Sequence, residues 1–411
     1  MKLAASTVLL SLGGIPMVGN TATGGIIGLT PEGARLCHSL AEREVPVGAV
    51  PEGCHDLVEH LRSGGYLEES PSPRPRVSTA YLHVTQRCNL SCRFCYSEDT
   101  TRNRLDDPSI EGLFHAIDLL AELGCSRLTI SGGEPLLRDD LPEVAAHAKR
   151  GGMSQITVLA NGLLVSEKNV GALAEHVTRI AVAFDGASSD DPVFLRGSQR
   201  FDQLVSAVQT IKDAGIEACV LPTLHAGNLA DMPRYRQLAQ RLGATLSYSL
   251  LTANVCGLGD LVPSDRQLCE LGRAAATEGL PGTDPADDAP PLSARNSCGA
   301  GARTLSVAAD GTVYPCHMLH SRDLAMGNAF SDSASKITGS KVAGLFQNLG
   351  VEDIEGCSAC AVCHLCGGGC RARAYLTTGA LASKDPYCEL SRSYYEAIGK
   401  RLHQRFCRGG E

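Results

Sequence analysis

Apolar segments of strand length alternate with amphipathic segments of helical period between residues 78 and 280. The predicted strands are Thr79–Thr85, Arg127–Ser131, Gln155–Ala160, Ile180–Phe184, Ile216–Thr223 and Thr245–Leu251. The predicted helices are Pro108–Leu123, Leu141–Lys149, Phe201–Ala214 and Met232–Leu242. Because helices that alternate with strands are typical of parallel connections, this pattern predicts an α/β fold with six βα units.

Residues 1–70 show a different pattern, which predicts a small unit of its own. Short strands are expected within Ala4–Leu12, near Pro16–Val18 and at Gly25–Leu29. A helix should begin at Pro31 with Thr30 as its N-cap, and a second helix should span His55–Arg62. Strands followed by two helices in this order predict a winged helix-turn-helix.

Composition and charge limit the class of protein. The chain has 411 residues, too many for one ordinary core, and proline-rich stretches at 69–75 and 279–293 predict linkers. The net charge of −8 provides no basic surface for nucleic acid, and no apolar stretch approaches the ~20 residues of a membrane span. The 18 cysteines concentrate from Cys298 onward at short spacings. This clustering favours metal binding over a disulfide scaffold.

Three cysteines follow the first predicted strand at the spacing C-x3-C-x2-C. They are Cys88, Cys92 and Cys95, on a loop where barrel-type α/β folds collect their chemistry. A structural zinc site needs four closed ligands. On a four-iron cluster, three cysteines leave one iron open for another ligand. A zinc knuckle or a redox pair is the alternative, because C-x2-C is common to both.

The next predicted strand ends in Gly-Gly-Glu-Pro at residues 132–135. A C-x3-C-x2-C motif with Tyr96 after its third cysteine, followed one strand later by Gly-Gly-Glu-Pro, resembles the radical S-adenosylmethionine (SAM) enzymes. The resemblance implies a partial (βα)6 TIM barrel with SAM on the open iron of a [4Fe-4S] cluster. It also implies that reduction of the cluster cleaves SAM and releases a deoxyadenosyl radical.

The same resemblance implies cofactor contacts at the strand ends. Tyr96 would pack by the adenine, Asn161 and Asp185 would face the ribose, and Arg196 would bind the carboxylate of SAM. The α-ammonium group would meet acceptors from Gly132, Gly133, Glu134 and Pro135. Ala183 departs from the pattern, because many members have a serine there, so one polar contact is absent or moved.

The C-terminal cysteines resemble the SPASM extension of radical SAM enzymes that modify peptides and proteins, which carries two auxiliary [4Fe-4S] clusters. The resemblance implies that the distal cluster takes Cys357, Cys360, Cys366 and Cys388. It implies that the proximal cluster takes Cys298, Cys316 and Cys370. A pair of zinc ribbons is the alternative, because C-x2-C repeats also suit tetrahedral thiolate sites.

Two features depart from the SPASM pattern. Cys363 is a fifth cysteine within the C-terminal run, and residues 291–297 have no cysteine where fully ligated relatives place a fourth proximal ligand. Cys256 and Cys269 are candidates for that ligand. An open iron at this position would instead bind a substrate cysteine as a thiolate, which favours a thioether product.

Taken together, the chain resembles a maturase of ribosomally made, post-translationally modified peptides. This interpretation assigns a PqqD-like peptide-recognition element to 1–70, the radical SAM partial barrel to 78–280 and a cysteine-rich iron–sulfur SPASM domain to 294–411. A leader peptide would add as a strand to the sheet edge of the first domain. The deoxyadenosyl radical would abstract a hydrogen from the core peptide and an intramolecular cross-link would follow, with a Cys thioether favoured.

We therefore expect SAM and three [4Fe-4S] clusters as cofactors, and a flavodoxin or ferredoxin as electron donor. Because such clusters are sensitive to oxygen, we expect the cytoplasm as the location. The sequence leaves open carbon–carbon (cyclophane) cross-linking, epimerisation, and the chemistry of an anaerobic sulfatase-maturing or haem-pathway relative. A DNA-binding winged helix and a non-enzymatic iron–sulfur or zinc protein are the remoter alternatives.

Overall fold

The computed structural model describes residues 1–70, 77–97, 102–196, 200–252, 258–278 and 292–406. The strands are β1 (Thr7–Leu12), β2 (Ile15–Asn20), β3 (Ile26–Gly28), β4 (Thr79–His83), β5 (Arg127–Ser131), β6 (Gln155–Ala160), β7 (Arg179–Phe184), β8 (Glu217–Leu224), β9 (Thr245–Leu246), β10 (Ser249–Leu250), β11 (Thr304–Val307), β12 (Thr312–Tyr314) and β13 (Gly327–Asn328). The helices are α1 (Pro31–Glu42), α2 (His55–Ser63), α3 (Ile110–Glu122), α4 (Leu141–Arg150), α5 (Glu167–Leu173), α6 (Phe201–Asp213), α7 (Met232–Leu242), α8 (Asp265–Glu278), α9 (Ala334–Thr338), α10 (Lys341–Asn348), α11 (Cys363–Cys366), α12 (Arg371–Thr378) and α13 (Cys388–Phe406).

The chain divides into two units that combine distant segments. The barrel unit consists of Arg76–Val262 and Gly299–Asn348. The terminal unit consists of Met1–Pro75, Pro263–Cys298 and Leu349–Glu411. Among the described helices, none combines the length and the apolar character needed to cross a membrane.

The barrel unit is built on a sheet whose parallel strands follow one another in chain order. From β4 to β8 each strand pairs in parallel with the next, and β9 and β10 both pair in parallel with β8. The sixth predicted strand is therefore two short pieces, interrupted at Ser247 and Tyr248. The predicted α/β fold with a parallel sheet is confirmed.

Helix α3 shows how the sequence determines the elements around this sheet. The side chain of Ser109 caps the helix by accepting the N–H of Gly112 at 3.2 Å. Leu113, Ile117 and Leu120, at helical spacing, are buried against the core. The helix then ends before Gly124, whose φ of 93° few other residues adopt.

A second part of the sheet comes from the C-terminal half of the chain and was not predicted. Strand β11 pairs with β4 in parallel, and β12 and β13 continue from it in antiparallel order. The residues after β12 thereby reach the side chains of β4, since His317 stacks on Tyr81 with 4.1 Å between ring centroids. Strands β11 and β12 therefore place His317 beside β4, the strand that leads into the predicted cluster loop.

The terminal unit contains the strands and helices predicted for residues 1–70. Strands β1, β2 and β3 form an antiparallel sheet, and Oγ1 of Thr30 accepts the N–H of Gly33 at 3.1 Å at the start of α1. One core lies between this sheet and the helices α1 and α2. A second core joins Leu12 and Met17 of the sheet to α8, α11 and α13. The winged-helix assignment and the functional borders at 70, 280 and 294 stay predictions.

Candidate active site

The three cysteines that follow β4 line a cavity in the barrel unit with a volume of about 440 Å³. Cys88, Cys92 and Cys95 are all partly exposed. The same cavity is lined by the predicted cofactor residues Tyr96, Gly132, Gly133, Asn161 and Arg196. Tertiary folding thus brings together side chains from the loops after four strands.

Backbone hydrogen bonds hold the loop that carries Cys88, Cys92 and Cys95, here called the cysteine loop, against the loop after β5. The N–H of Gly133 donates to the carbonyl oxygen of Thr85, and that of Glu134 donates to the carbonyl oxygen of Arg87, both at 2.8 Å. A Cβ atom would lie 2.3 Å from the oxygen of Thr85 at Gly132 and 2.0 Å from that of Arg87 at Gly133. Only glycine allows this approach, so the backbone here lies open to the cavity.

Glu134 has a different position from its two neighbours. Its side chain is 1% exposed, and its oxygens accept the N–H groups of Leu136 at 3.1 Å and Asn161 at 2.7 Å. Burial raises the pKa of Glu134 to about 7, although these two amides favour the charged form. Neither Glu134 nor the buried Pro135 is among the described residues that line the cavity. In this structure Glu134 links the loops after β5 and β6.

Asp185 and Arg196 follow β7, and the backbone of their loop contacts the cysteine loop, since the N–H of Arg93 donates to the carbonyl oxygen of Leu195 at 2.8 Å. Oδ2 of Asp185 accepts the N–H groups of Leu195 at 2.8 Å and Arg196 at 2.9 Å. Oδ1 of Asp185 and Nη1 of Arg196 are buried and have no hydrogen-bond partner within the described part of the chain. Such atoms are costly unless a ligand satisfies them.

The unsatisfied acceptor of Asp185 and the unsatisfied donor of Arg196 fit the polar groups of SAM. A guanidinium with an unsatisfied N–H suits a ligand carboxylate, and a carboxylate oxygen suits a ribose hydroxyl. Asn161, Asp185 and Arg196 line an adjoining cavity of about 30 Å³. Ala183 lines the larger cavity with a methyl group at the position where many family members have a serine. The individual contacts stay predictions.

Sequence reasoning missed the residues that contact the two ends of the cysteine loop. Nη2 of Arg102 donates to Sγ of Cys95 at 3.1 Å, and Oδ1 of Asn103 accepts the N–H of Cys88 at 2.8 Å. No spacing or periodic pattern marks these two residues.

A wall of aromatic and imidazole rings was also missed. His317 stacks on Tyr81 and meets the edge of Tyr96 at 5.5 Å between ring centroids. His83 is fully buried, and its ring centroid lies 4.7 Å from that of His320. Neither ring nitrogen of His83 has a hydrogen-bond partner among the described residues. Burial lowers the pKa of His317 to about 4 and that of His83 well below its usual value. Both imidazoles are therefore neutral at physiological pH.

In the terminal unit, all four cysteines predicted for the distal cluster line a cavity of about 20 Å³. The cavity-lining cysteines are Cys357, Cys360, Cys363, Cys366 and Cys388. Folding therefore places Cys363 with the four predicted ligands.

The turn between Cys366 and Cys370 consists of three glycines with φ of 72°, 79° and 73°. At its end, Oδ2 of Asp385 accepts the N–H of Cys370 at 2.7 Å, and Arg373 forms an ion pair with Asp385 at 2.7 Å. Burial alone would raise the pKa of Asp385, but hydrogen bonds from Arg373 lower it. The charged carboxylate thus orients the cysteine turn.

The three cysteines predicted for the proximal cluster divide between the units, with Cys316 in the barrel unit and Cys298 and Cys370 in the terminal unit. Their assignment stays a prediction. Cys269 contacts Oε2 of Glu389 at 3.9 Å, and Cys256 lies outside the described residues. Within the described ranges, no three His, Cys, Asp or Glu side chains are grouped as a single metal ion would require.

Two domain families match this chain. Residues 82–235 match the Radical SAM superfamily, and residues 298–366 match SPASM, an iron–sulfur cluster-binding domain. The chain therefore contains a radical SAM domain and a SPASM domain, and the family resemblance stated from the two motif sets is confirmed.

Similar curated proteins span most of the chain. The PqqA peptide cyclase of Ruegeria pomeroyi is 28% identical over 351 residues, which are 81% of this chain and 92% of that protein. The mycofactocin maturase MftC of Mycobacterium tuberculosis is 29% identical over 342 residues, 78% of this chain and 84% of that protein. The AdoMet-dependent heme synthase of Methanosarcina barkeri is 26% identical and covers 74% of this chain and 94% of that protein.

Solved structures share the fold at low sequence identity. Native anSMEcpe with bound AdoMet superposes with a TM-score of 0.63 at 16% identity, over 80% of this chain and 98% of that one. Streptococcus suis SuiB bound to the precursor peptide SuiA superposes with a TM-score of 0.61 at 12% identity, over 94% of this chain and 99% of that one. The predicted partial barrel is thus a fold that solved radical SAM structures share.

Proposed function

We propose that this chain is a radical SAM maturase of a ribosomal precursor peptide, which installs an intramolecular cross-link. The observation that carries the proposal is the cavity of about 440 Å³, which three cysteines, the Gly-Gly backbone and Arg196 line together. The lining of this cavity combines thiols of the ligand type with residues of strands β4 to β8. The names of the relatives PqqA peptide cyclase and mycofactocin maturase support a peptide substrate.

The chain's own residues bind and orient the cofactor in this proposal. Cys88, Cys92 and Cys95 hold a [4Fe-4S] cluster, and Arg196 binds the carboxylate of SAM. The backbone at Gly132 and Gly133 accepts from its ammonium group. When bound, the [4Fe-4S] cluster and SAM would together supply a deoxyadenosyl radical, which would abstract a hydrogen atom from the peptide.

The remaining cysteines hold two auxiliary [4Fe-4S] clusters in the proposed enzyme, which makes three clusters in all. The distal set is Cys357, Cys360, Cys366 and Cys388. The proximal set is Cys298, Cys316 and Cys370. A flavodoxin or ferredoxin supplies the electron, and the reducing conditions that such clusters need place the enzyme in the cytoplasm.

Residues 1–70 recognise the leader peptide in this proposal. Strand β3 ends its sheet, and its outer edge pairs with no other strand within the described chain. The N–H of Leu29 donates to Pro16 of β2, so the main-chain groups of Gly28 face away from the sheet. An extended peptide can bind there through main-chain hydrogen bonds.

A thioether from a peptide cysteine to a carbon atom is the cross-link that we propose. Its support is that the proximal set has three evident cysteines, which leaves room for a substrate thiol. Formation of the C–S bond would remove two hydrogens. The deoxyadenosyl radical would take one as a hydrogen atom, and the thiol would lose the other as a proton, with the remaining electron passing to an auxiliary cluster.

Mass spectrometry of the product of a short peptide gene beside this one tests both levels of the proposal. A thioether product is two hydrogens lighter, and its cysteine resists alkylation. A precursor with that cysteine replaced by serine should keep its mass. If the serine precursor still loses two hydrogens the link is carbon–carbon, whereas an unchanged mass with an inverted stereocentre indicates epimerisation.

A relative of the haem-pathway or sulfatase-maturing enzymes is the second candidate. The similarity to the heme synthase of Methanosarcina barkeri and the fold shared with anSMEcpe favour it. In that case residues 1–70 have no role in substrate binding, and no neighbouring precursor is modified.

A further inference from the structure

Arg102 connects the third cysteine of the cluster loop to the glycine loop. Its Nη2 atom donates to Sγ of Cys95 at 3.1 Å and to Oγ of Ser97 at 2.9 Å. Ser97 is 6% exposed, and its hydroxyl donates to the carbonyl oxygen of Gly132 at 2.8 Å. The guanidinium is therefore held at a ligand sulfur by a partner that the fold keeps in place.

The next residue, Asn103, contacts the other end of the same loop. Its side chain accepts the N–H of Cys88, and its own N–H donates to the carbonyl oxygen of Gln86 at 3.2 Å. Asn103 adopts a φ of 56°, a conformation that asparagine tolerates better than most residues. Two neighbouring residues thus fix the first and third cysteines, and one of them carries a positive charge.

We propose that Arg102 is a positioning residue that makes the SAM cluster easier to reduce. Reduction adds one electron from the external donor to the cluster, and no bond in the protein breaks. A charge-assisted N–H···S bond and a nearby cation both stabilise the more negative, reduced state. The inference depends on the radical SAM domain, and it holds whichever substrate the enzyme modifies.

The test is a redox titration of the anaerobically reconstituted full chain, followed by electron paramagnetic resonance. The signal of the SAM cluster is the one that changes when SAM is added. Arg102→Gln should lower the equilibrium constant for reduction about tenfold, which is about 59 mV for one electron. Arg102→Lys keeps the charge but loses the planar fork, so its shift should be smaller.

Arg104→Gln is the matched control, because it removes the same charge from an exposed residue two positions away. It should titrate like the wild type. An unchanged potential in Arg102→Gln overturns the proposal. Loss of the cluster from both Arg102 variants, with Arg104→Gln intact, also overturns it, since Arg102 would then serve assembly rather than reduction.

Discussion

Glu134 and Asn161 are joined by a hydrogen bond of 2.7 Å from the backbone N–H of Asn161 to Oε2 of Glu134. Glu134 follows β5 and Asn161 follows β6, so this bond fixes the spacing of two neighbouring loops at the cavity. Asn161 also donates from Nδ2 to Oδ1 of Asn89, inside the cysteine motif, at 2.7 Å. The glutamate of the Gly-Gly-Glu-Pro motif therefore supports the loop of Cys88, Cys92 and Cys95 through Asn161.

Replacement of Glu134 by Gln should change how stability depends on pH. The folded protein keeps the proton of Glu134 up to about pH 7, whereas the unfolded chain loses it near 4.5. This group therefore makes the wild type less stable as pH rises between these values, by about 3 kcal/mol in total. Glu134→Gln should lack that component.

Urea unfolding at about pH 5 and about pH 8 measures the difference. Replacement of the exposed Glu122 by Gln serves as the control and should follow the wild type. A Glu134→Gln protein with the same pH dependence as the wild type would show that the carboxyl group is charged in both states.

The metal content separates a radical enzyme from a zinc protein. Three four-iron clusters imply about twelve iron atoms per chain after anaerobic reconstitution. Replacement of Cys88, Cys92 and Cys95 together by Ala should remove about a third of the iron and all cleavage of SAM. Stoichiometric zinc without iron, in protein prepared anaerobically, would contradict the proposed function.

The outer edge of β3 offers a sharper test of leader binding than deletion of residues 1–70. A deletion would also expose the partners of Leu12 and Met17 in the terminal unit. Replacement of Gly28 by Pro removes one outward N–H from the edge of β3. The position has room for a Cβ atom, which would meet nothing within 4 Å. Loss of one main-chain hydrogen bond should weaken the affinity for the leader about fivefold, which corresponds to about 1 kcal/mol of binding free energy.

Gly28→Ala is the matched control, because it adds the Cβ atom and keeps the N–H. Fluorescence anisotropy with the labelled leader peptide compares the two variants. Equal affinities for Gly28→Pro and Gly28→Ala would place the leader elsewhere, and turnover without any leader dependence would favour the second candidate function.

Cys363 should be dispensable for the distal cluster. If Cys357, Cys360, Cys366 and Cys388 bind it, Cys363→Ala keeps the iron content of the wild type. Cys366→Ala should lose about four of twelve iron atoms. Iron analysis after anaerobic reconstitution compares the two, and the opposite pattern would exchange the roles of these cysteines.

Up to residue 251 the sequence pattern predicted most of the described elements close to their observed bounds, whereas helices α8 to α13 were not predicted. Helix α7 spans Met232–Leu242 as predicted, because its apolar period, its proline at the start and Gly243 at its end are all local signals. Helix α5 was missed, since seven residues are too few to show a period. Strands β11 to β13 were missed because short strands carry little alternation, and because β4, the partner that joins β11 to the sheet, lies more than 200 residues earlier.

The motifs predicted most of the residues that line the cavity, but they did not predict the contacts that each residue makes. Gly132, Gly133 and Arg196 line it, while Glu134 is buried between loops. Spacing identifies a residue type at a strand end, but the direction of its side chain depends on the packing around it. The contact of Arg102 with Cys95 has no local signal at all.

By itself, the sequence determined the cysteine spacings, the glycine pair and the alternation of strands and helices, because each of these is a relation between residues close in the chain. Only the tertiary structure decided that His317 stacks on Tyr81, that Leu12 packs with Ile398 and that Arg102 reaches Cys95. The first two pairs lie far apart in sequence, and the third joins residues seven positions apart that belong to no helix or strand. Burial of apolar surface and hydrogen-bond geometry in the whole fold select such contacts, and no local period or spacing encodes them.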